Sequence, residues 1–174
     1  SMGPKEIDYV IRWIDLMIKR NPNYEIVLMG ISMGAHIAMM LGGEKLPSNI
    51  KCIIEDCGYS NLKDQLNYEL VKIKAPCKGF ILFAANLYCR LFHGFSLKHN
   101  TATAFSNLTL PILLIHGDKD TYVKFENLKL NADSVPNNIY KEVVTFEGAD
   151  HNRSKDQLEK YTETIINFVN KFIK

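Results

Sequence analysis

The chain has 174 residues, 47% hydrophobic and 23% charged, enough apolar material for one core of ordinary domain size and without a compositional sign of disorder. Its formal charge of +2 comes from 21 basic and 19 acidic residues scattered along the chain, without the basic block that binding to a phosphate backbone favours, so nucleic acid is not an expected partner. Cys52, Cys57, Cys77 and Cys89 lack CxxC spacing and no signal peptide precedes them, so they read as reduced thiols of a cytoplasmic protein, although their even number leaves a disulfide pair open.

Ser1 and Met2 look like a vector remnant followed by a start residue. The first predicted element is an amphipathic helix, with Ile7, Val10, Ile11, Ile14, Met17 and Ile18 at helical spacing and a stop at Asn21-Pro22-Asn23. "EIVLM" is then a short apolar run ending at a glycine. "SMGAHIAMMLGG" follows it, apolar on nearly all sides and closed by paired glycines. Together they read as buried strand, sharp turn and buried helix. "IKCIIE" (residues 50–55), "PILLIH" (111–116) and "YKEVVTF" (140–146) are three further buried-strand candidates. Strands alternating with helices imply a parallel sheet of about four strands covered on both faces.

More than fifty residues separate the second and third strands, far beyond an ordinary connection. They include the polar "NLKDQLNYEL", a break at Ala75-Pro76 and the apolar "GFILFAANLYCRLF" (79–92). That apolar run is too short to cross a bilayer and Arg90 interrupts it, so no membrane span is expected. We read residues 58–97 as a helical cap inserted into a single domain, with Phe80, Leu82, Phe83, Leu87, Leu91 and Phe92 supplying an apolar wall; a helix packed on the core is the alternative. Further on, Phe125, Leu128, Ala132 and Val135 mark a helix. In the last helix Leu158, Tyr161, Ile165, Phe168, Val169 and Phe172 share a face, and Ser154 with Gln157 has the capping-box pattern.

The chemistry concentrates in three stretches. "GISMG" sets Ser32 between Gly30 and Gly34, where a strand feeds the motif and a helix leaves it; side chains at either glycine would collide with the neighbouring strand and helix. A serine hydroxyl is a weak nucleophile, so it needs a base and a carboxylate to orient that base. "HGDKD" presents Asp118 and Asp120 in the loop after a strand, and "GADH" presents His151 before the last helix. His36, His93, His99 and His116 read as packing or surface residues. None has a cysteine or carboxylate at metal-ligand spacing, so no metal site is expected.

This order of elements resembles the α/β-hydrolase superfamily, in which nucleophile, acid and histidine follow strands of one parallel sheet. "GISMG" is similar to its nucleophile elbow, "HGDKD" to its HGxxD acid loop, "GADH" to its histidine loop, and "IIEDCGYSN" to a segment recurring after the strand beyond the elbow. The resemblance covers nearly all of residues 1–174 and is nearest to bacterial esterase-like members related to the prolyl-oligopeptidase and Bem46-like branches. It implies Ser32 as nucleophile, His151 as general base and then acid, Asp120 as the group that orients the imidazole, and the backbone N–H of Met33 as an oxyanion donor at a helix start. Asp118 is the alternative acid, with a turn-forming role otherwise. The activity implied is carboxylesterase-type hydrolysis of a small acyl ester without a cofactor. A fold kept as a binding or assembly module, and an acyltransferase, are the alternatives.

The sequence departs from the family at its start. Members place several strands before the helix that precedes the elbow, one of their loops giving the second oxyanion N–H, whereas this sequence begins at that helix. The expectation is therefore a partial α/β-hydrolase fold, the carboxyl-terminal portion of the domain. Its unpaired edge at Ile26–Leu28 would recruit a second copy, as a homo-oligomer, or a missing amino-terminal segment.

Overall fold

Four apolar runs form one parallel sheet in the order β1 (Ile26–Ile31), β2 (Ile50–Asp56), β3 (Ile112–Gly117) and β4 (Lys141–Phe146). The computed structural model describes residues 4–173; Ser1 and Met2 lie outside them. The helices are α1 (Pro4–Arg20), α2 (Met33–Leu41), α3 (Leu62–Lys72), α4 (Lys78–His93), α5 (Thr101–Phe105), α6 (Glu126–Ser134) and α7 (Leu158–Val169).

The sheet is buried on both faces because its central strands are apolar at every position that needs it. Side chains alternate between faces along a strand. Ile53, Ile112 and Leu114 therefore join Ile14 of α1 and Ile37 and Met39 of α2 on one side. Cys52, Ile54, Leu113 and Ile115 meet Tyr161 and Phe168 of α7 on the other. These two layers hold rigid the carboxyl ends of β1, β3 and β4, from which the candidate site projects.

Four local expectations change. β4 is an edge strand rather than a buried one: its residues alternate in exposure and Val143 is exposed, because it pairs with β3 alone. Met17 lies beside the apolar stripe of α1 and is exposed, whereas Ile14 is buried. Leu158 is exposed at the start of α7, although Tyr161 and Phe168 are buried. The capping box does not form. Ser154 opens a short 3-10 turn (Ser154–Asp156) and is buried, its hydroxyl turned 3.4 Å from Asp56 Oδ1, while Gln157 caps nothing with its side chain. The box fails because Gln157, not Ser154, occupies the N-cap position of α7.

The long connection holds α3, α4 and α5. Ala85 and Cys89 of α4 pack with Leu62, Leu66, Phe95 and Leu97 in a small cluster of their own, and Leu82 is buried. Phe80, Phe83, Leu87, Leu91 and Phe92 are exposed. All four cysteines are free thiols, and among the described residues no helix is long and apolar enough to cross a membrane.

Candidate active site

β1 runs into α2 through one residue. Ser32 takes φ 55° and ψ −115°, a positive φ outside the regions that side chains prefer, a conformation that costs on the order of 1–3 kcal/mol. Two backbone bonds hold it there: its N–H donates to Asp56 O of β2 at 2.8 Å, and its carbonyl accepts from His36 N at 3.1 Å. The turn is tight because Gly30 and Gly34 nearly touch. A Cβ on Gly30 would stand 2.1 Å from the Gly34 carbonyl oxygen, whereas a Cβ on Gly34 meets nothing within 4 Å. The crowding anticipated at both glycines exists at Gly30 alone. Met33 begins α2, so its backbone N–H has no acceptor within the helix.

The acid loop leaves β3 in the next position but one. Asp120 Oδ1 accepts the N–H groups of Tyr122 and Val123 at 2.9 and 2.8 Å. Its Oδ2 accepts from His151 Nδ1 at 2.8 Å. Burial pushes the Asp120 pKa up, but hydrogen bonds from His116, His151 and the two amides outweigh it and hold the carboxyl well below the ordinary range. Asp118 is engaged elsewhere, its Oδ1 accepting the Gly148 N–H at 2.6 Å and so bracing the loop after β4.

His151 lies between the other two. With Nδ1–H donated to Asp120, Nε2 is left bare, and it sits 2.9 Å from Ser32 Oγ, positioned to accept the hydroxyl proton. Asp150 ties this loop to the acid loop by accepting from Thr121 N at 2.8 Å, Thr121 Oγ1 at 3.0 Å and His151 N at 2.7 Å. The Tyr122 ring lies 4.9 Å from the imidazole. Ser32, His151 and Asp120 are thus brought together, and Asp118 is not among them.

Two neighbours escaped the sequence reading. His116, fully buried, reaches Asp120 Oδ2 with Nε2 at 3.1 Å; its place four residues before Asp120 was the available signal. Cys57, at φ 51°, donates its N–H to Ile115 O at 2.9 Å, and its sulfur lies within 4.8 Å of donor atoms of Asp120 and His151. Burial pushes the Cys57 thiol far up, so it stays protonated, and Asp120 and His151 already bond each other. The three side chains are therefore poorly disposed to a metal. His36 behaves as a packing residue: it stacks on Tyr59 at 4.3 Å, bonds Tyr59 O through Nδ1 at 2.8 Å, and burial lowers its pKa to about 4.

No protein-family model matches the sequence, and neither does any curated protein. Solved structures do match. The esterase Pf2001 of Pyrococcus furiosus superposes with a TM-score of 0.75 at 19% identity, over 98% of this chain and 63% of its own. An esterase domain from Rhodothermus marinus gives 0.65 at 16% identity, over 94% and 68%. MGS-MChE2, an α/β-hydrolase enzyme from a lagoon-sediment metagenome, gives 0.63 at 15%, over 95% and 70%. The four-stranded sheet with its flanking helices is accordingly an α/β-hydrolase fold in part. The chain spans less than two thirds of the length of Pf2001.

Proposed function

We propose that this chain is a serine hydrolase of carboxylesterase type, acting on small acyl esters through Ser32, His151 and Asp120. The observation that carries the reading is the pair of hydrogen bonds through one imidazole, Ser32 Oγ to His151 Nε2 at 2.9 Å and His151 Nδ1 to Asp120 Oδ2 at 2.8 Å. The esterase neighbours of the same fold agree with it.

In this reading Ser32 Oγ attacks the ester carbonyl carbon as its proton passes to His151 Nε2. Asp120, already ionised, stabilises the imidazolium without taking the proton. The carbonyl oxygen becomes an oxyanion facing the Met33 N–H at the positive end of α2. Collapse of the tetrahedral intermediate breaks the ester C–O bond, and the leaving alkoxide takes the proton from His151, departing as the alcohol. Water then repeats the sequence on the acyl-serine and releases the acid. In the same proposal residues 58–97, containing α3 and α4, are a cap inserted between β2 and β3.

A fluorophosphonate probe tests the reading. It should label the protein at Ser32, and labelling should vanish in Ser32→Ala and fall steeply in His151→Ala. Full labelling of Ser32→Ala would move the nucleophile elsewhere, and no labelling of a folded wild type would end the proposal.

A further inference from the structure

α4 is apolar over most of its circumference, the flank of Asn86 and Arg90 apart, while only one side is covered. Leu82 is buried and Ala85 and Cys89 join the small cluster beneath, but Phe80, Leu91 and Phe92 are 71%, 69% and 70% exposed, and Phe83 and Leu87 are exposed with them. From Gly79 to Cys89 the helix has no charged residue. A helix this apolar on its outer side is at home only where apolar material meets it there as well. Phe80, Leu87 and Leu91 follow one another at helical spacing, forming a crest opposite Leu82 and Cys89.

The charge along this stretch of the sequence is of one sign. From Leu70 to Gly117 the sequence has five basic residues, Lys72, Lys74, Lys78, Arg90 and Lys98, and no Asp or Glu; the rest of the chain is net acidic. A groove of about 550 Å³ runs along one flank of α4, with Lys63, Arg90 and Lys98 on its walls beside Leu82 and Phe83, and with Asp64 as its single carboxylate. An apolar crest rimmed by lysine and arginine is the pattern of a helix that lies in the plane of a lipid surface, its crest at the acyl boundary and its cations at the phosphates.

We infer that α4 is an interfacial helix that docks this chain on an anionic lipid surface, Phe80, Leu87 and Leu91 entering the acyl boundary and Lys63, Arg90 and Lys98 meeting lipid phosphates. A second copy fits this face less well. A two-fold contact through α4 would set Lys63, Arg90 and Lys98 against their copies, with Asp64 as the groove's one carboxylate to answer three cations. Ala85 and Cys89 of α4 pack in the cluster of Tyr59 and Val123, which follow the carboxyl ends of β2 and β3, the end of the sheet at which Ser32 lies, so a docked chain turns that end toward the lipid. The inference does not rest on the esterase reading.

Co-sedimentation of the full chain with vesicles tests it. The protein should pellet with phosphatidylcholine vesicles containing phosphatidylglycerol, should stay largely in solution with phosphatidylcholine alone, and should be released in part by salt. Lys63→Gln, Arg90→Gln and Lys98→Gln should each weaken binding about fivefold. The triple variant Phe80→Asn, Leu87→Asn, Leu91→Asn alters exposed side chains, should keep its circular dichroism, and should lose vesicle binding. The salt series on the wild type needs no variant at all. Absence of binding to either vesicle, equal binding to both, or wild-type binding by the triple variant would each overturn the inference. So would a wild-type dimer that fails to pellet and that the triple variant converts to monomer, which would assign the face to a second copy.

Discussion

His116 Nε2 lies 3.1 Å from Asp120 Oδ2, the same oxygen that His151 Nδ1 reaches at 2.8 Å. The Val123 carbonyl, 3.0 Å away, is its other neighbour. Both neighbours are acceptors, so Nε2 carries the hydrogen and His116 acts as a second donor to the carboxylate. Removing it leaves more of the negative charge on Oδ2 for His151, but also lets the carboxylate swing out of line with the imidazole. A hydrogen bond to a charged group contributes about 1.5–3 kcal/mol, and a part of that lost in the transition state lowers kcat/KM roughly tenfold. His116→Phe should show this loss with the acid limb of its pH–rate profile moved to higher pH, while His116→Gln, which keeps an N–H donor, should recover part of it. A lower melting temperature with an unmoved profile would reduce His116 to a packing residue.

The two elbow glycines should respond oppositely to alanine. At Gly30 the new Cβ falls 2.1 Å from a backbone oxygen that has nowhere to go, and the cost should exceed the roughly 1–3 kcal/mol of ordinary overpacking. Gly34→Ala enters open space within α2 and should leave stability unchanged or raise it by up to about 1 kcal/mol. Thermal unfolding of the two variants side by side decides the matter, and equal losses would mean that the turn needs both glycines.

Acid should weaken the fold through His36. Burial holds its pKa at about 4 in the folded chain, against about 6.5 when unfolded. Above the higher value both states leave it neutral and it contributes nothing to the pH dependence. Between the two values the unfolded chain binds a proton that the folded chain refuses, so stability falls by about 1.4 kcal/mol per pH unit on this account. Urea unfolding between about pH 7 and pH 5 measures the slope, and His36→Gln should flatten it whatever its effect on absolute stability. An unchanged slope would assign the acid sensitivity to other groups.

β1 bonds β2 on one side and ends the sheet on the other, with Met29 exposed. An apolar edge in this state pairs with other strands. Light scattering should show association that grows with concentration and that Met29→Lys diminishes, independently of changes on α4. A monodisperse species near 19.9 kDa at every concentration would refute it.

The convergence of Ser32, Asp120 and His151 was legible because each sits in a short loop defined by local signals: a glycine pair, an HGxxD loop, a histidine just past a strand. Its geometry then follows from the parallel sheet, which brings the carboxyl ends of strands together. What the sequence hid were choices between competing partners. Ser154 had the pattern of a helix cap and instead turned toward Asp56, a carboxylate distant in sequence whose Oδ2 also accepts the Tyr161 hydroxyl at 2.9 Å. His116 is hidden for the same reason, since its contact depends on how the chain curls after Gly117. The apolar residues of α4 misled in another way, because hydrophobic content indicates that a surface wants cover and says nothing of what provides it.

Three backbone bonds at the strand ends have a consequence for how this architecture tolerates change. Ser32 N–H is hooked to Asp56 O, Cys57 N–H to Ile115 O at 2.9 Å, and Asp118 N–H to Phe146 O at 3.2 Å. Each loop thus leaves its strand already moored to the next strand over, in a staircase that crosses the sheet from β1 to β4. No step of the staircase passes through α4, so that helix can lengthen, shorten or be exchanged while the moorings stay put, whereas Phe105 and Leu108 further along the connection belong to the main core. Loosening would travel the other way: fraying of β4 would slacken Asp118 first, then Cys57, and Ser32 last.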